Sequence, residues 1–242
     1  ILLCCDTGMK FSIQQSDELQ MKIFLDFDGV LVDNALRLYT LYSDLMSEFD
    51  RQPLPMESYW ILKRERISEQ DILKKSGLED AALTELYFKK RAELIESRHY
   101  LQLNTVVNGC FEFLEFLRKQ GETILITTRH NRENLFWEID EKKLSPYFPK
   151  VLCGSDTSIP PAEIKIKMVE KEGFPNGSKG MIIGDTEAEI LCGQKVGLFT
   201  VALTTGIRNR NYLMHMKPDM ICDTVYQIAE SWDSIMERIG KA

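Results

Sequence analysis

From residue 105 onward, short apolar runs alternate with stretches of helical periodicity, and this alternation constrains the fold more than any other feature of the chain. The runs at 123–127, 151–153, 181–183, 199–203 and 220–222 are too short for helices and consist largely of apolar and β-branched residues, as buried strands do. Helical segments separate them. One covers 108–120 and stops at Gly121; another starts at Asn131, a good cap, and runs to about 144. A third covers 160–173, opened by Pro160 and Pro161, a fourth runs from Asp185 to Lys195, and two more cover about 209–216 and 224–239. A further strand, 22–25, stands upstream. Strands alternating with helices predict an α/β fold, a doubly wound parallel sheet with ligands at the strand carboxyl ends.

Residues 34–104 interrupt the alternation directly after the first strand. They show no strand pattern. Leu38, Leu41, Leu45 and Phe49 form a helical stripe over 34–50, which Pro53 and Pro55 break. Ser68 and Asp71, in capping-box spacing, open a second helix, and 79–98 predicts a third with Leu83, Leu86, Leu94 and Ile95 apolar. The stretch is therefore expected to be an inserted all-helical cap. The core would comprise 21–33 and 105–242. Ile1–Cys5 is apolar but lacks the basic start and length of a signal peptide, so 1–20 is read as an upstream extension before a natural beginning at Met21.

Bulk properties exclude several classes. The net charge of −7 argues against a nucleic-acid-binding face, which would be basic. No apolar run approaches the ~20 residues that cross a bilayer. The six cysteines form no Cys-x-x-Cys pair and no zinc spacing, so they are expected to be small apolar residues in a reducing cytoplasm.

Four stretches at predicted strand ends carry chemistry. Asp26-Phe27-Asp28-Gly29 places two carboxylates close together, able to gather a divalent metal or share a proton; the bland alternative is a turn after a strand. Thr127 and Thr128 can donate hydroxyls to phosphate oxygens, or merely end a strand. Lys165 can neutralise phosphate or a reacting carboxylate, with Lys167 a rival and a solvated surface lysine the alternative. Gly184-Asp185, followed by Glu189, can bind a hard cation through oxygen, or form a strand-to-helix turn with Asp185 as the cap.

Taken together, Asp26-x-Asp28-Gly-Val, Thr127, Lys165 and Gly184-Asp185 with Glu189 resemble the haloacid dehalogenase-like superfamily over about residues 22–242. Glu189 stands where that family more usually has Asp. The resemblance implies that Asp26 attacks phosphorus to form an aspartyl-phosphate, and that Asp28 is the general acid and base. It implies a Mg2+ held by Asp26, the Asp28 carbonyl and Asp185 with Glu189 in support, and phosphoryl oxygens held by Thr127, Thr128 and Lys165. Asp28 and Asp185 favour phosphate over carbon–halogen chemistry, since a dehalogenase of this superfamily needs neither a leaving-group acid nor a metal.

The expected partner is a small phosphorylated metabolite, read in part by Lys63, Arg64 and Arg66 from the cap and Arg129 from the core. The cap itself is nearly neutral, with 11 Lys and Arg against 12 Asp and Glu. The chain would act as a monomer or homodimer. A phosphomutase or phosphotransferase on the same intermediate, and a non-catalytic binding protein retaining the fold, stay open from sequence.

Overall fold

The computed structural model describes residues 21–154, 158–173 and 179–241; residues 1–20, including Cys4 and Cys5, lie outside them. In chain order the elements are β1 (Lys22–Leu25), β2 (Val32–Asp33), α1 (Ala35–Glu48), α2 (Met56–Arg64), α3 (Glu69–Lys75), α4 (Ala81–Leu94), α5 (Arg98–Leu101), β3 (Thr105–Val106), α6 (Cys110–Arg118), β4 (Glu122–Thr127), α7 (Arg132–Glu141), β5 (Lys150–Cys153), α8 (Pro161–Lys171), β6 (Gly180–Gly184), α9 (Glu187–Val196), β7 (Phe199–Leu203), α10 (Arg210–His215), β8 (Met220–Cys222), α11 (Val225–Glu230) and α12 (Trp232–Lys241).

The sheet has six parallel strands in the order β5-β4-β1-β6-β7-β8. It is the doubly wound α/β sheet that the alternation predicts. Successive side chains point to opposite faces. Ile23, Leu25, Leu125, Met181 and Ile183 pack with α6, α7, α11 and α12 on one face. Phe24, Ile124, Ile126 and Ile182 pack with α8 and α9 on the other. Both faces are covered, which is why these strands read as continuous apolar runs. Each such buried side chain contributes about 1.5–3 kcal/mol.

The strand order decides where a site can form. The chain leaves β1 outward through β4 to β5, then returns to β6 on the other side of β1. The strand order therefore reverses at β1. Adjacent strands in a sheet stand about 4.8 Å apart, so the ends of β4 and β6 flank the end of β1.

The helices α1–α5 lie between β2 and β3, which pair antiparallel, Val32 with Val106 and Asp33 with Thr105. Both connections to the sheet thus run side by side. The segment has its own core, built on Leu41, Tyr42, Leu45, Tyr59, Ile72 and Tyr87, with Tyr42 and Tyr59 stacked at 4.5 Å between centroids. Its contacts with the α/β part include hydrogen bonds to that part's backbone. Arg64 donates to the carbonyls of Thr204 (2.7 Å) and Arg208 (3.4 Å). Glu96 accepts from the backbone N–H of Asn131 at 2.8 Å.

Local departures from expectation have simple causes. Helix α2 forms directly after the proline break, because Pro55 holds the φ of −54° that suits a helix entry. The stretch 79–98 breaks at Ser97, where an extended backbone starts α5. The final helix divides into α11 and α12 at Ser231. Ser68 caps α3 by accepting from the Asp71 N–H, but the Asp71 carboxylate binds the Ser68 hydroxyl, so only half a capping box forms. The complete box is at α9, between Thr186 and Glu189. Cys110, Cys192 and Cys222 are buried free thiols among apolar residues, and Cys153 is half-buried.

Candidate active site

Asp26 follows β1 and is held in line by its N–H, which donates to the Ile183 carbonyl at 3.0 Å. Gly29 then turns the chain with φ +77°, a conformation open to glycine at little cost. Asp185 follows β6, and its Oδ2 accepts from the Ile207 N–H at 2.6 Å. Asp26, Asp185 and Glu189 are all buried, and each offers a carboxylate oxygen within 4.8 Å of the other two. Lys165 reaches them from α8. Its Nζ stands 2.8 Å from Asp26 Oδ1 and pairs with Glu189 Oε1. Lys165 is 2% exposed, whereas Lys167 faces solvent. The difference separates two lysines that sequence left as rivals.

One ammonium among three buried carboxylates leaves an excess of negative charge. Burial pushes the Asp26 carboxyl up, Lys165 opposes this, and Glu189 and Asp28 reinforce it, bringing it to about 7. Burial and the charges of Asp26 and Glu189 raise Asp185 well above the carboxylate range. Burial pulls the Lys165 ammonium down, but Asp26 and Glu189 outweigh it and the group stays charged. Three buried carboxylates that offer oxygen donors within 4.8 Å of one another fit a hard dication. Glu189 is already committed to the fold: its Oε2 accepts from the Thr186 hydroxyl at 2.7 Å and from the Thr186 N–H at 3.0 Å.

The structure separates the side chains of Asp26 and Asp28. Asp28 turns away from the trio into a clamp of arginines. Arg129 donates through Nε to Oδ2 (2.8 Å) and through NH2 to Oδ1 (2.7 Å). Arg37 donates to Oδ1 at 2.8 Å. Burial alone would raise the Asp28 carboxyl, but Arg129 and Arg37 overcome it and hold the group far below the usual range.

A cleft of about 570 Å³ opens over these strand ends, lined by Asp26, Asp28, Asp185, Glu189, Lys165, Thr127 and Thr128. Its outer wall carries Arg66, Arg91 and Arg208. Arg66 and Arg208 share Glu187, with Nε–O distances of 2.7 and 2.9 Å. Arg91 shares Glu69 with Lys63, at 3.6 and 2.8 Å. Each carboxylate thus faces two cations, and the wall is net positive. Of the four basic residues read from sequence as substrate-facing, Arg66 and Arg129 line the cleft; Lys63 and Arg64 do not, because Lys63 is spent on Glu69 and Arg64 on backbone carbonyls of the β7–α10 loop.

Sequence reading misses Arg37, Arg91, Glu138 and Arg208. Arg208 had a signal, since it lies in the loop after β7, another strand carboxyl end. So did Glu138, a charged residue three positions after Leu135 and one before Ile139, on a buried helix stripe. Arg37 carries the same mark, one position before Leu38 and four before Leu41 on the α1 stripe.

A family model described as haloacid dehalogenase-like hydrolase matches residues 23–203. The phosphoglycolate phosphatase of Synechococcus elongatus is 24% identical over 216 residues, spanning 89% of this chain and 99% of that protein. The phosphoglycolate phosphatase of Aliivibrio fischeri is 26% identical over 218 residues, spanning 83% and 91%. Among solved structures, a predicted phosphatase from Clostridium acetobutylicum shares the fold with a TM-score of 0.71 at 16% identity, covering 89% of this chain and 99% of that one.

Proposed function

The chain belongs to the haloacid dehalogenase-like hydrolases and is similar to enzymes named phosphatases; on that footing we propose that it hydrolyses a small anionic phosphate monoester, with Asp26 as nucleophile and Mg2+ as cofactor. The observation that carries this reading is the buried group of Asp26, Asp185, Glu189 and Lys165 on the floor of one cleft.

Asp26 attacks phosphorus, the ester P–O bond breaks, and an aspartyl-phosphate forms. Water then attacks that phosphorus, releasing inorganic phosphate and restoring the carboxylate. Asp28 stands ionised in its clamp, which equips it to take the proton of the attacking water. Protonating the leaving oxygen requires Asp28 first to gain a proton, and the clamp must loosen for that. Lys165 offsets charge on Asp26, and Thr127 and Thr128 can donate to the transferring phosphoryl oxygens. Asp26 and Asp185 would hold the Mg2+, with Glu189 beside them. When bound, the cation offsets repulsion between the anionic nucleophile and the phosphate. The net-positive wall of Arg66, Arg91 and Arg208 suits a second anionic group on the substrate, such as the carboxylate of phosphoglycolate, the substrate named for the relatives.

Helices α1–α5 serve as the cap that excludes water over the cleft. The site is complete within one chain, so a monomer suffices and a homodimer is compatible. No described helix is long and apolar enough to cross a membrane, and the buried free thiols suit a reducing cytoplasm.

The test is release of inorganic phosphate from a panel of phosphate esters with Mg2+, by the parent and by Asp26→Asn. Turnover by the parent alone supports the reading. Equal turnover by both removes Asp26 as nucleophile, and an isomerised ester without phosphate release points to phosphotransfer.

A further inference from the structure

A buried polar chain links the Asp28 carboxylate to both connections of the helical segment. At one end is Arg37, in the first turn of α1 just after β2, whose NH2 donates to Asp28 Oδ1 at 2.8 Å. Asp28 is gripped by Arg129 through Nε and NH2. The remaining arm of that guanidinium, NH1, donates to Glu138 Oε2 at 2.5 Å. The other oxygen of Glu138, Oε1, accepts from Asn104 Nδ2 at 2.7 Å, and Asn104 directly precedes β3. The face of Phe27 lies under the guanidinium, 5.0 Å from Arg129 Cζ.

Glu138 is fully buried on α7, between Leu135 and Ile139, which pack into the core. A leucine in its place would fill the space but leave Arg129 NH1 and Asn104 Nδ2 buried without their acceptor, at a cost in stability. What a leucine could not do is occupy NH1. With NH1 held, the guanidinium plane is set, and Nε and NH2 present a two-pronged seat to Asp28. Without it the fork is free to turn about its stem.

We propose that Glu138 is a positioning residue: it fixes the Arg129 guanidinium that seats Asp28, and through Asn104 it ties that seat to the connection from which the helical segment hangs. The inference rests on the reading that Asp28 handles protons in the reaction. It assigns work to a residue that touches neither substrate nor metal.

The test compares an alkyl phosphate that the parent turns over with 4-nitrophenyl phosphate, whose leaving group needs no proton. Asp28→Asn should lower kcat/KM, which reports the step that forms the aspartyl-phosphate, on the alkyl ester by about 100-fold more than on the aryl ester. Glu138→Gln and Glu138→Leu should show the same selectivity at about tenfold, with KM changed less than about twofold and with Glu138→Leu melting below Glu138→Gln. Asn104→Leu should move kcat/KM in the same direction by a smaller factor. A purely structural role would lower both esters together. Equal losses on both esters in the Glu138 variants, or no loss while Asp28→Asn stays selective, overturns the inference alone. Absence of effect in Asn104→Leu removes the tie to the helical segment. If Asp28→Asn is itself unselective in kcat/KM, the leaving-group role of Asp28 falls and the inference falls with it.

Discussion

The substitution Gly206→Ala adds one methyl group beside Asp185 and changes no functional side chain. Gly206 lies in the loop after β7, with its Cα facing the site. A Cβ built there would stand 2.6 Å from Asp185 Cβ, against the 3.4 Å at which ordinary contact begins. Turning the carboxylate cannot relieve this, because the Asp185 Cβ is fixed by its backbone. One of the two chains must retreat by about 0.8 Å. The neighbouring Ile207 N–H, which donates to Asp185 Oδ2, moves with it. Overpacking of this size costs about 1–3 kcal/mol, which in a chain of 242 residues lowers the melting temperature by roughly 2–12 °C. A displacement near 1 Å at a reacting site can cost about 100-fold in rate. The expected outcome is a folded protein whose kcat/KM is down about 100-fold and whose Mg2+ requirement is higher, read by phosphate release across a Mg2+ titration. In an Asp185→Gly background, where neither Cβ nor carboxylate remains, the same substitution should cost less than about 0.5 kcal/mol, the scatter of independent sites. Parent activity at the parent Mg2+ requirement, or an undiminished stability cost in the Asp185→Gly background, would refute the steric argument.

Three further outcomes follow from the same geometry. Thr186→Ala removes the cap of α9 and the hydroxyl that holds Glu189, so thermal unfolding should show a loss of about 1–2 kcal/mol, together with lower activity; an unchanged melting temperature would count against the box. Burial would raise the Glu69 carboxyl, but Lys63 and Arg91 hold it below the usual range. Its stabilising contribution is thus complete above the unfolded value of about 4.3 and is lost as pH falls through the lower folded value. Glu69→Gln should therefore flatten that acid limb in denaturant titrations, and an identical limb in both proteins would contradict the assignment. Chelation should abolish phosphate release, with Mg2+ restoring it and Ca2+ restoring it poorly because its coordination is looser; full rate in chelator would exclude the metal.

Short-range pattern was enough to place β1, β4, β6 and β7 and to set Asp26, Thr127 and Asp185 at strand ends, because side-chain period and turn residues are local properties of the chain. Met168 and Val169, on an apolar helix face, favour Lys165 over its rival Lys167 on a similar argument. The partners of the charged groups were not legible in the same way. Asp28 and Arg129 are 101 residues apart, Lys165 and Glu189 are 24 apart, and Arg66 and Glu187 are 121 apart. No periodicity records which of several arginines will close on a given carboxylate. The pairing of β4 with β1 and the placement of α1 over the end of β1 made that choice, because a charge carried out of water must be met by another at hydrogen-bond distance. The sequence by itself determined the sheet and the position of the reacting carboxylates along it. Only the tertiary structure decided that Asp28 faces arginines instead of the acidic trio, that Glu189 is the counter-ion of Lys165, and that Arg91 lines the wall of the cleft.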